Sequence, residues 1–324
     1  MDLVSRYYEC IETRKYNSHD FILFRYTDFL YLGEDNQGNV VIVCVSSKPN
    51  RSPLRQRTKM LSIECNMKVQ YVLDGVVEKQ TVHIIRCYSS SNQEKDIFIE
   101  LAPLFEEASH KQDQEESLLE TVAILSSFFA NKAEPTDSEL QGLFAELYTI
   151  KSFQDSLHLG DYWQSNDRMK FDFSISGTTK IEVKSTIKNE RKHHFRHEQL
   201  AHELFDIYVV SYMLRPDDEG TSLFELIELS KPLVQNAPRR LMILERYIKN
   251  TTELRLKQCR FSEAITDSKR RIYKAKDIPR FREETPTGVS NAEYDCNLEG
   301  VTAIEEKDFV CEIRAVQKAE TVSK

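Results

Sequence analysis

The sequence predicts a mixed α/β (α+β) protein in three segments: a β-rich N-terminal domain over residues 1–112, a helix-and-strand core with a preceding helix over 113–221, and a basic mixed α/β region over 222–324. Three observations predict it. Up to about residue 110, runs of β-branched and aromatic residues are divided by turn signals. Between 136 and 214, helical spacing gives way to period-two alternation, then to a short helical stretch and another apolar run. From 222 onward two helical stretches precede a segment with no single period.

The first segment contains the runs FILFRYTDFLYLG, VVIVCVSS, KMLSIECNMKVQYVLDG and QTVHIIRCYS, with turns expected at Asp35-Asn36-Gln37-Gly38 and Asp74-Gly75. The polar stretch 109–116, SHKQDQEE, reads as a linker. Leu118, Val122, Leu125 and Phe129 recur at helical spacing, and Ala133-Glu134-Pro135 ends that helix. Thr136 and Glu139 form a capping box, which opens a helix over LQGLFAELYTIKSF. Strands KFDFSIS and KIEVKST follow, then a short helix HEQLAHELF and a strand DIYVVSYML; a further short strand is expected near 161–164. After Ser222 two helices are expected, punctuated by Pro232 and Pro238, and the chain from Cys259 is mixed.

The first ten residues, MDLVSRYYEC, hold no apolar run of the kind a secretory signal needs, and no stretch of about 18 apolar residues occurs. Seven cysteines, far apart and without a CxxC pair, argue against a zinc ribbon and a disulfide framework. A cytoplasmic protein with no membrane association is the expectation. The net charge of −8 is unpromising for a nucleic-acid binder, but its distribution is uneven. From Lys180 to His197 there are six Lys/Arg, three His and two Asp/Glu; from Lys231 to Arg282, fifteen Lys/Arg stand against five Asp/Glu. Local charge decides where phosphates dock. Solvated helix faces would read the same way.

Phe171, Phe173 and Ile175 alternate with Asp172, Ser174 and Ser176, and Ile181 and Val183 alternate with Glu182 and Lys184. If these strands form a hairpin over one core, odd-numbered residues must oppose odd-numbered ones, because opposed residues share a face. The turn then has an odd residue count, or a bulge. Gly177-Thr178-Thr179 supplies three residues, with glycine free to take a positive φ. In that register Asp172 opposes Lys184 and Ser174 opposes Glu182, and Asp172, Glu182 and Lys184 converge. Two close carboxylates repel unless a proton or cation joins them. Mg²⁺ prefers oxygen ligands, and a neighbouring lysine can orient a water and neutralise a phosphate. A pattern this short also describes an exposed sheet face with ordinary salt bridges.

Glu146 lies three residues from Leu143 and four from Ile150, on part of the apolar stripe of its helix. It is either a buried carboxylate in need of a partner or a stripe-edge residue that reaches water. Gly142, one turn earlier, would let another backbone approach. Gln199, near the start of the short helix, suits a phosphate or a catalytic water, or is an ordinary exposed glutamine. Lys188, Arg191, Lys192 and His194 are candidate phosphate contacts. His193 and His194 side by side do not suggest a metal site.

Together, GLFAEL at 142–147, KFDF at 170–173, EVKST at 182–186 and HHFRHEQL at 193–200 resemble an uncharacterised bacterial family of PD-(D/E)XK, restriction-endonuclease-like proteins. KDIPRF at 276–281 and TPTGVSNAEYDCNL at 285–298 resemble its C-terminal pattern, so the likeness covers about 136–300 and leaves the N-terminal 110 residues outside. It implies an αβββαβ core and Mg²⁺-dependent hydrolysis of nucleic acid. Asp172, Glu182 and Lys184 match the family's D…ExK, Glu146 its helix glutamate, and Gln199 the glutamine after the third motif. Genes of this kind commonly lie beside methyltransferase and ATPase genes of restriction or defence systems. WQSNDRMKFDF lacks the usual Gly-Pro after the position of Trp163, so the loop entering the site differs.

The sequence therefore points to a DNA endonuclease of a restriction or anti-phage system. Asp172, Glu182, the Val183 carbonyl and Glu146 are the expected ligands of Mg²⁺, with Mn²⁺ the alternative. Lys184 is expected to orient the attacking water and Gln199 to assist. Lys188, Arg191, Lys192, His194, Arg239, Arg240, Lys269, Arg270 and Arg271 are the expected DNA contacts. Expected partners are DNA and methyltransferase and ATPase subunits, with a homodimer also open. No GxxxxGK[ST] motif occurs, so an ATP-driven step needs another protein. The rival reading is a catalytically silent DNA-binding or scaffolding module.

Overall fold

The computed structural model describes residues 2–14, 21–73, 76–130, 133–164, 171–200, 204–234, 237–281 and 292–322. The chain forms two compact units, Met1–Ala133 with Leu241–Asn250, and Glu134–Arg240 with Thr251–Lys324.

The first unit runs α1 (Leu3–Arg14), β1 (Phe21–Arg25), β2 (Leu30–Asp35), β3 (Val40–Val45), β4 (Leu54–Arg57), β5 (Leu61–Leu73), β6 (Val76–Cys87), α2 (Asn92–Glu100), α3 (Ala102–Ser109) and α4 (Gln114–Ala130). Its strands form one antiparallel sheet in the order β1-β2-β3-β6-β5-β4. Alternation divides the strands between two faces. Leu32, Ile42, Ile63 and Ile85 share a core with Phe98, Phe105, Leu118 and Phe129 of the helices, while Tyr31, Val43, Val82 and Ile84 form a smaller cluster. The Asp35 turn is built as expected. Asp35 accepts from the backbone N–H groups of Gln37 and Asn39, and Gly38 has φ +80°.

Three helices of this unit lie where the sequence suggested β structure or a linker. The stretch 109–116 is not a linker, since α3 and α4 leave only 110–113 between them. The signal for α2 was present in Ser91, whose hydroxyl accepts from Glu94 N at its N-terminus. Helix α4 buries its predicted stripe in this unit's core.

The second unit runs α5 (Asp137–Leu157), β7 (Phe173–Ser174), β8 (Thr179–Thr186), β9 (Lys192–Arg196), α6 (His197–Leu200), β10 (Asp206–Met213), β11 (Pro216–Ser222), α7 (Leu223–Val234), α8 (Pro238–Asn250, of the first unit from Leu241), α9 (Glu253–Gln258), β12 (Arg260–Phe261), α10 (Glu263–Ser268), β13 (Arg271–Lys274), β14 (Glu293–Asn297) and α11 (Glu306–Val322). The capping box forms: Glu139 N donates to Thr136 Oγ1 and Thr136 N to Glu139 Oε2. Pro238 opens its helix, where a missing N–H costs nothing, but Pro232 sits inside α7 rather than ending it. The central sheet has the order β13-β10-β8-β7, with β8 and β10 parallel and the other pairs antiparallel. The expected strand near 161–164 is reduced to a bridge, Trp163 to Phe173. Helix α5 packs on the sheet through Thr149, which bonds the Tyr212 hydroxyl, and Gln141, which bonds Ser185. A separate core gathers Phe195, Leu200, Ile207, Val209, Tyr273, Cys296 and Leu298. Residues 165–170, 201–203 and 285–291, which carry parts of the predicted entry loop, short helix and C-terminal pattern, lie outside the described residues. Among the described residues no helix is long and apolar enough to cross a membrane.

Candidate active site

The β7–β8 hairpin keeps the predicted parity and shifts by one residue. Phe173 opposes Ile181 and Ser174 opposes Lys180. Ile175 N bonds Thr179 O, so the three turn residues are Ser176, Gly177 and Thr178. Ser176 Oγ closes this turn by accepting from Thr178 N and Thr179 N, and Gly177 has no positive φ. The expected Asp172–Lys184 opposition is thereby replaced. Continued by one step, the register sets Asp172 across from Glu182, the two carboxylate-bearing positions of the motif. Asp172 Oδ2 accepts from Val183 N at 2.7 Å.

Nor is the polar face of β8 exposed. Glu182 is only 3 % exposed. Its Oε1 accepts from Lys184 Nζ at 2.7 Å and from Gln199 Nε2 at 2.7 Å. Gln199 in turn accepts from Lys184 Nζ at 3.3 Å and from Arg196 N at 3.1 Å through its Oε1. Lys184 Nζ also lies over the Phe195 ring, 5.2 Å from its centre. Gln199 is therefore buried within the cluster and not an exposed helical residue. Glu182 Oε2 is buried and has no hydrogen-bond partner among the described residues.

Glu146 reaches the same cluster from α5, held by an unforeseen residue. Trp163 Nε1 donates to Glu146 Oε2 at 2.7 Å, and Gln164 Nε2 at 3.3 Å. Gln164 N also bonds the Asp172 carbonyl, so the short Trp163–Gln164 segment ties the helix carboxylate to the backbone of Asp172. The available signals were that Trp163 is the single tryptophan of the chain and stands at a position of the family's pattern. Gly142 does not serve close packing, since a Cβ there would meet nothing within 4 Å.

Burial and mutual repulsion hold these acids above their ordinary range. Burial, then Glu182 and Glu146, push Asp172 well up. Burial raises Glu182 against the pull of Lys184 and Gln199. Burial pushes Glu146 up to about 7, with Glu182 adding to the rise and the Trp163 and Gln164 bonds opposing it. This is a set of oxygen donors short of positive charge. Among the described residues no three His, Cys, Asp or Glu side chains already close around one ion position. Mg²⁺ does not need them, because it is commonly held by one or two carboxylates with water and substrate phosphate. The unpartnered Glu182 Oε2 and the hard oxygen set fit such an ion, and Mn²⁺ takes the same donors.

The sequence model of the family described as "Putative PD-(D/E)XK family member" matches residues 22–299. The chain belongs to that family. No curated protein and no solved structure matches it. The match is wider than the motif resemblance, since it takes in most of the first unit. PD-(D/E)XK proteins are generally nucleases that use divalent metals. The helix, the bridge at Trp163, β7, β8, α6 and β10 follow the αβββαβ order, with the first strand shortened.

Several of the expected DNA contacts are engaged within the PD-(D/E)XK unit itself. Arg191 is buried, donating to Ser211 O, Ser211 Oγ and Lys269 O. Arg240 donates to Gly160 O and Asp161 O. Arg270 bonds Asp267 and Glu306 and packs on Phe153. Lys192 and His194 are exposed but face Asp295 and Glu293 of β14. Arg271 donates to two neighbouring carbonyls and stays exposed, as do Lys188, Arg239 and Lys269. Part of the basic excess of 231–282 is thus answered by partners distant in sequence, as at Arg240, Arg255, Arg260, Arg270 and Lys274. His193 is buried against Ser211 Oγ and takes no part in the cluster of acids.

Proposed function

We propose that this chain is a Mg²⁺-dependent DNA endonuclease, a cytoplasmic subunit of a restriction or anti-phage defence system that hydrolyses phosphodiester bonds. The observation that carries the reading is the nearness of Asp172, bonded to Val183 N, to Glu182, which has a buried, unpartnered oxygen beside Lys184. Asp172, Glu182 and the Val183 carbonyl would hold the ion, with Glu146 at its edge or at a second position. When bound, Mg²⁺ supplies charge stabilisation to the phosphate and acidifies a water. Lys184 orients that water and offsets phosphate charge once it leaves Glu182. Gln199 holds both Glu182 and Lys184 in place. DNA is the substrate, and methyltransferase and ATPase subunits, or a second copy, are the partners that suit such a system.

The test is incubation of modified and unmodified plasmid with the purified protein and Mg²⁺, Mn²⁺ or EDTA. Cleavage should need the metal and vanish in Glu182→Ala and Lys184→Met. Equal cleavage by wild type and Glu182→Ala would refute the assignment. A second reading, a catalytically silent DNA-binding or scaffolding module, is favoured by the Lys184–Glu182 pair, in which the chain's own cation occupies one carboxylate oxygen. Calorimetric titration separates them: Mg²⁺ binding that Glu182→Ala abolishes belongs to the nuclease, and no Mg²⁺ binding to the silent module.

A further inference from the structure

Gly142 is the only glycine within an α-helix among the described residues, and no packing contact accounts for it. Glycine weakens a helix interior relative to alanine, because it has more freedom to lose on folding. Most of the other described glycines have local reasons. A Cβ at Gly33 or Gly220 would strike the backbone of Ile22 or Phe261, Gly160 packs against Leu233, and Gly38 has φ +80°. Gly177 and Gly300 lie outside helices and strands. Gly142 sits in the second turn of α5, the longest helix among the described residues, with open space where its Cβ would stand.

That space borders the cluster of acids. Residues four apart share a helix face, so Gly142 and Glu146 lie one above the other. Helical side chains lean toward the N-terminus, which directs Glu146 over the turn that contains Gly142. Trp163 Nε1 and Gln164 Nε2 both donate to Glu146 Oε2, and no described residue donates to Oε1. Beside Gly142, Gln141 Nε2 donates to Ser185 Oγ at 3.0 Å, and Ser185 follows Lys184 in β8. Gly142 is thus bracketed by two residues, Gln141 and Glu146, that reach the site. It is half-buried, while Leu143, Phe144 and Ala145 after it are buried. A side chain at position 142 therefore enters a gap at the rim of the site and no part of the core. Bare helix backbone is what a chain passing close by requires. A glycine merely tolerated on a solvated face predicts no effect of filling that gap.

We propose that the gap left by Gly142 is the passage for the DNA strand to be cut, whose sugar-phosphate backbone crosses α5 there and brings a phosphodiester to Glu146, Asp172 and Glu182. Gly142 is a specificity-determining position: its missing side chain admits a polymer to the acids. The inference rests on the nuclease reading in taking these acids as the reacting centre and DNA as the polymer. Alanine fills the gap in part. Leucine, a good helix former with a longer side chain, fills it without disfavouring the helix.

The experiment uses the full chain as wild type, G142A, G142L and S152L, the last a control on α5 directed away from Glu146. Duplex binding is read by fluorescence anisotropy in Ca²⁺, which takes the same oxygen donors, with a gel to verify that the duplex stays whole. Melting curves, calorimetric Mg²⁺ titration and cleavage kinetics complete the set. G142A should melt about 2–4 °C above wild type, and G142L no lower than wild type, because a glycine leaves the helix. Both should take up Mg²⁺ as wild type does. G142L should bind duplex about tenfold more weakly or worse, the scale of overfilling a fitted contact, and raise KM more than it lowers kcat. G142A should fall between the two, and S152L should match wild type. Equal duplex affinity in G142L and wild type, an equal loss in S152L, a lowered melting temperature or altered Mg²⁺ binding in G142L, or no duplex binding by wild type each overturn the proposal. Cleavage by G142L at the wild-type KM fails this inference and leaves the nuclease reading standing. A wild type that binds duplex and never cleaves, with binding lost in G142L, fails the nuclease reading and leaves the strand passage standing.

Discussion

Two buried polar clusters lie on the same four-stranded sheet and follow opposite rules. Around Ser211 the polar atoms are paired: Arg191 donates to the Ser211 carbonyl at 2.9 Å and its hydroxyl at 2.7 Å, and His193 Nε2 meets the same hydroxyl at 2.7 Å. Burial, with Arg191 and Lys184 nearby, pushes His193 down to about 3, so it stays neutral and no like charges meet. Around Asp172 three acids press on one another, and Glu182 Oε2 is left without a partner. Buried polar groups are normally satisfied, and each exception calls for an explanation. The first cluster holds the strands in place; the second gives up native stability that a bound cation can return.

The largest effect should separate the clusters by activity. Glu182→Gln keeps the shape and removes the charge. Its cleavage should fall by about 10²–10³-fold or more, the scale of removing one electrostatic group from a reacting centre. Its metal-free melting temperature should be unchanged or higher, because repulsion with Asp172 and Glu146 is relieved. A fall in both together would make Glu182 structural and erase the contrast.

Ser211→Ala should do the reverse. It leaves His193 Nε2 and one Arg191 N–H without the hydroxyl they share, a loss of about 1–3 kcal/mol. Denaturant unfolding should register that loss while cleavage per folded molecule holds. Unchanged stability would mean that the pairing around Ser211 is incidental.

Proton linkage offers a third comparison. Glu146 titrates near 7 in the fold against an ordinary value of 4.5, so the folded state binds its proton more tightly than the unfolded state. Metal-free stability should therefore fall as pH rises from about 4.5 to about 7, then level off. Asp172 and Glu182, also raised, act in the same direction. Glu146→Gln should flatten the profile, and Mg²⁺ should restore melting temperature above pH 7. A profile identical in wild type and Glu146→Gln would show that Glu146 does not carry the linkage.

The smallest effect is expected at Trp163. Trp163→Phe keeps the ring and loses the N–H that Glu146 accepts, which should reduce cleavage by about tenfold, the cost of one hydrogen bond to a charged group. As the only tryptophan, Trp163 should also change its emission when Mg²⁺ is titrated into wild type, and Glu182→Gln should abolish that change. Emission indifferent to Mg²⁺ would disconnect Trp163 from the ion.

Much of this was legible before folding. Alternation in KFDFSIS and KIEVKST requires odd to oppose odd, because successive strand residues point to opposite faces, and this brings Asp172, Glu182 and Lys184 to one side. The capping box and the stripe around Glu146 located α5 against the sheet. The sequence could not choose between registers two residues apart in their pairing sums, since both keep the parity. Backbone bonds at Ile175–Thr179 and the Ser176 hydroxyl chose, and so decided that Asp172 meets Glu182 and not Lys184. Periodicity also cannot tell which polar face is covered. Gln199 and Phe195 come from a later strand and helix, and their arrival turns an apparently solvent-facing Glu182 into a buried one. The same distance in sequence hides the partners of the basic stretch, as Arg270 meets Glu306 36 residues on and Arg240 meets Gly160 80 residues back. Charge counts along a chain register what each residue is, whereas ion pairing depends on which groups the fold brings within about 4 Å, and only the tertiary structure sets that distance.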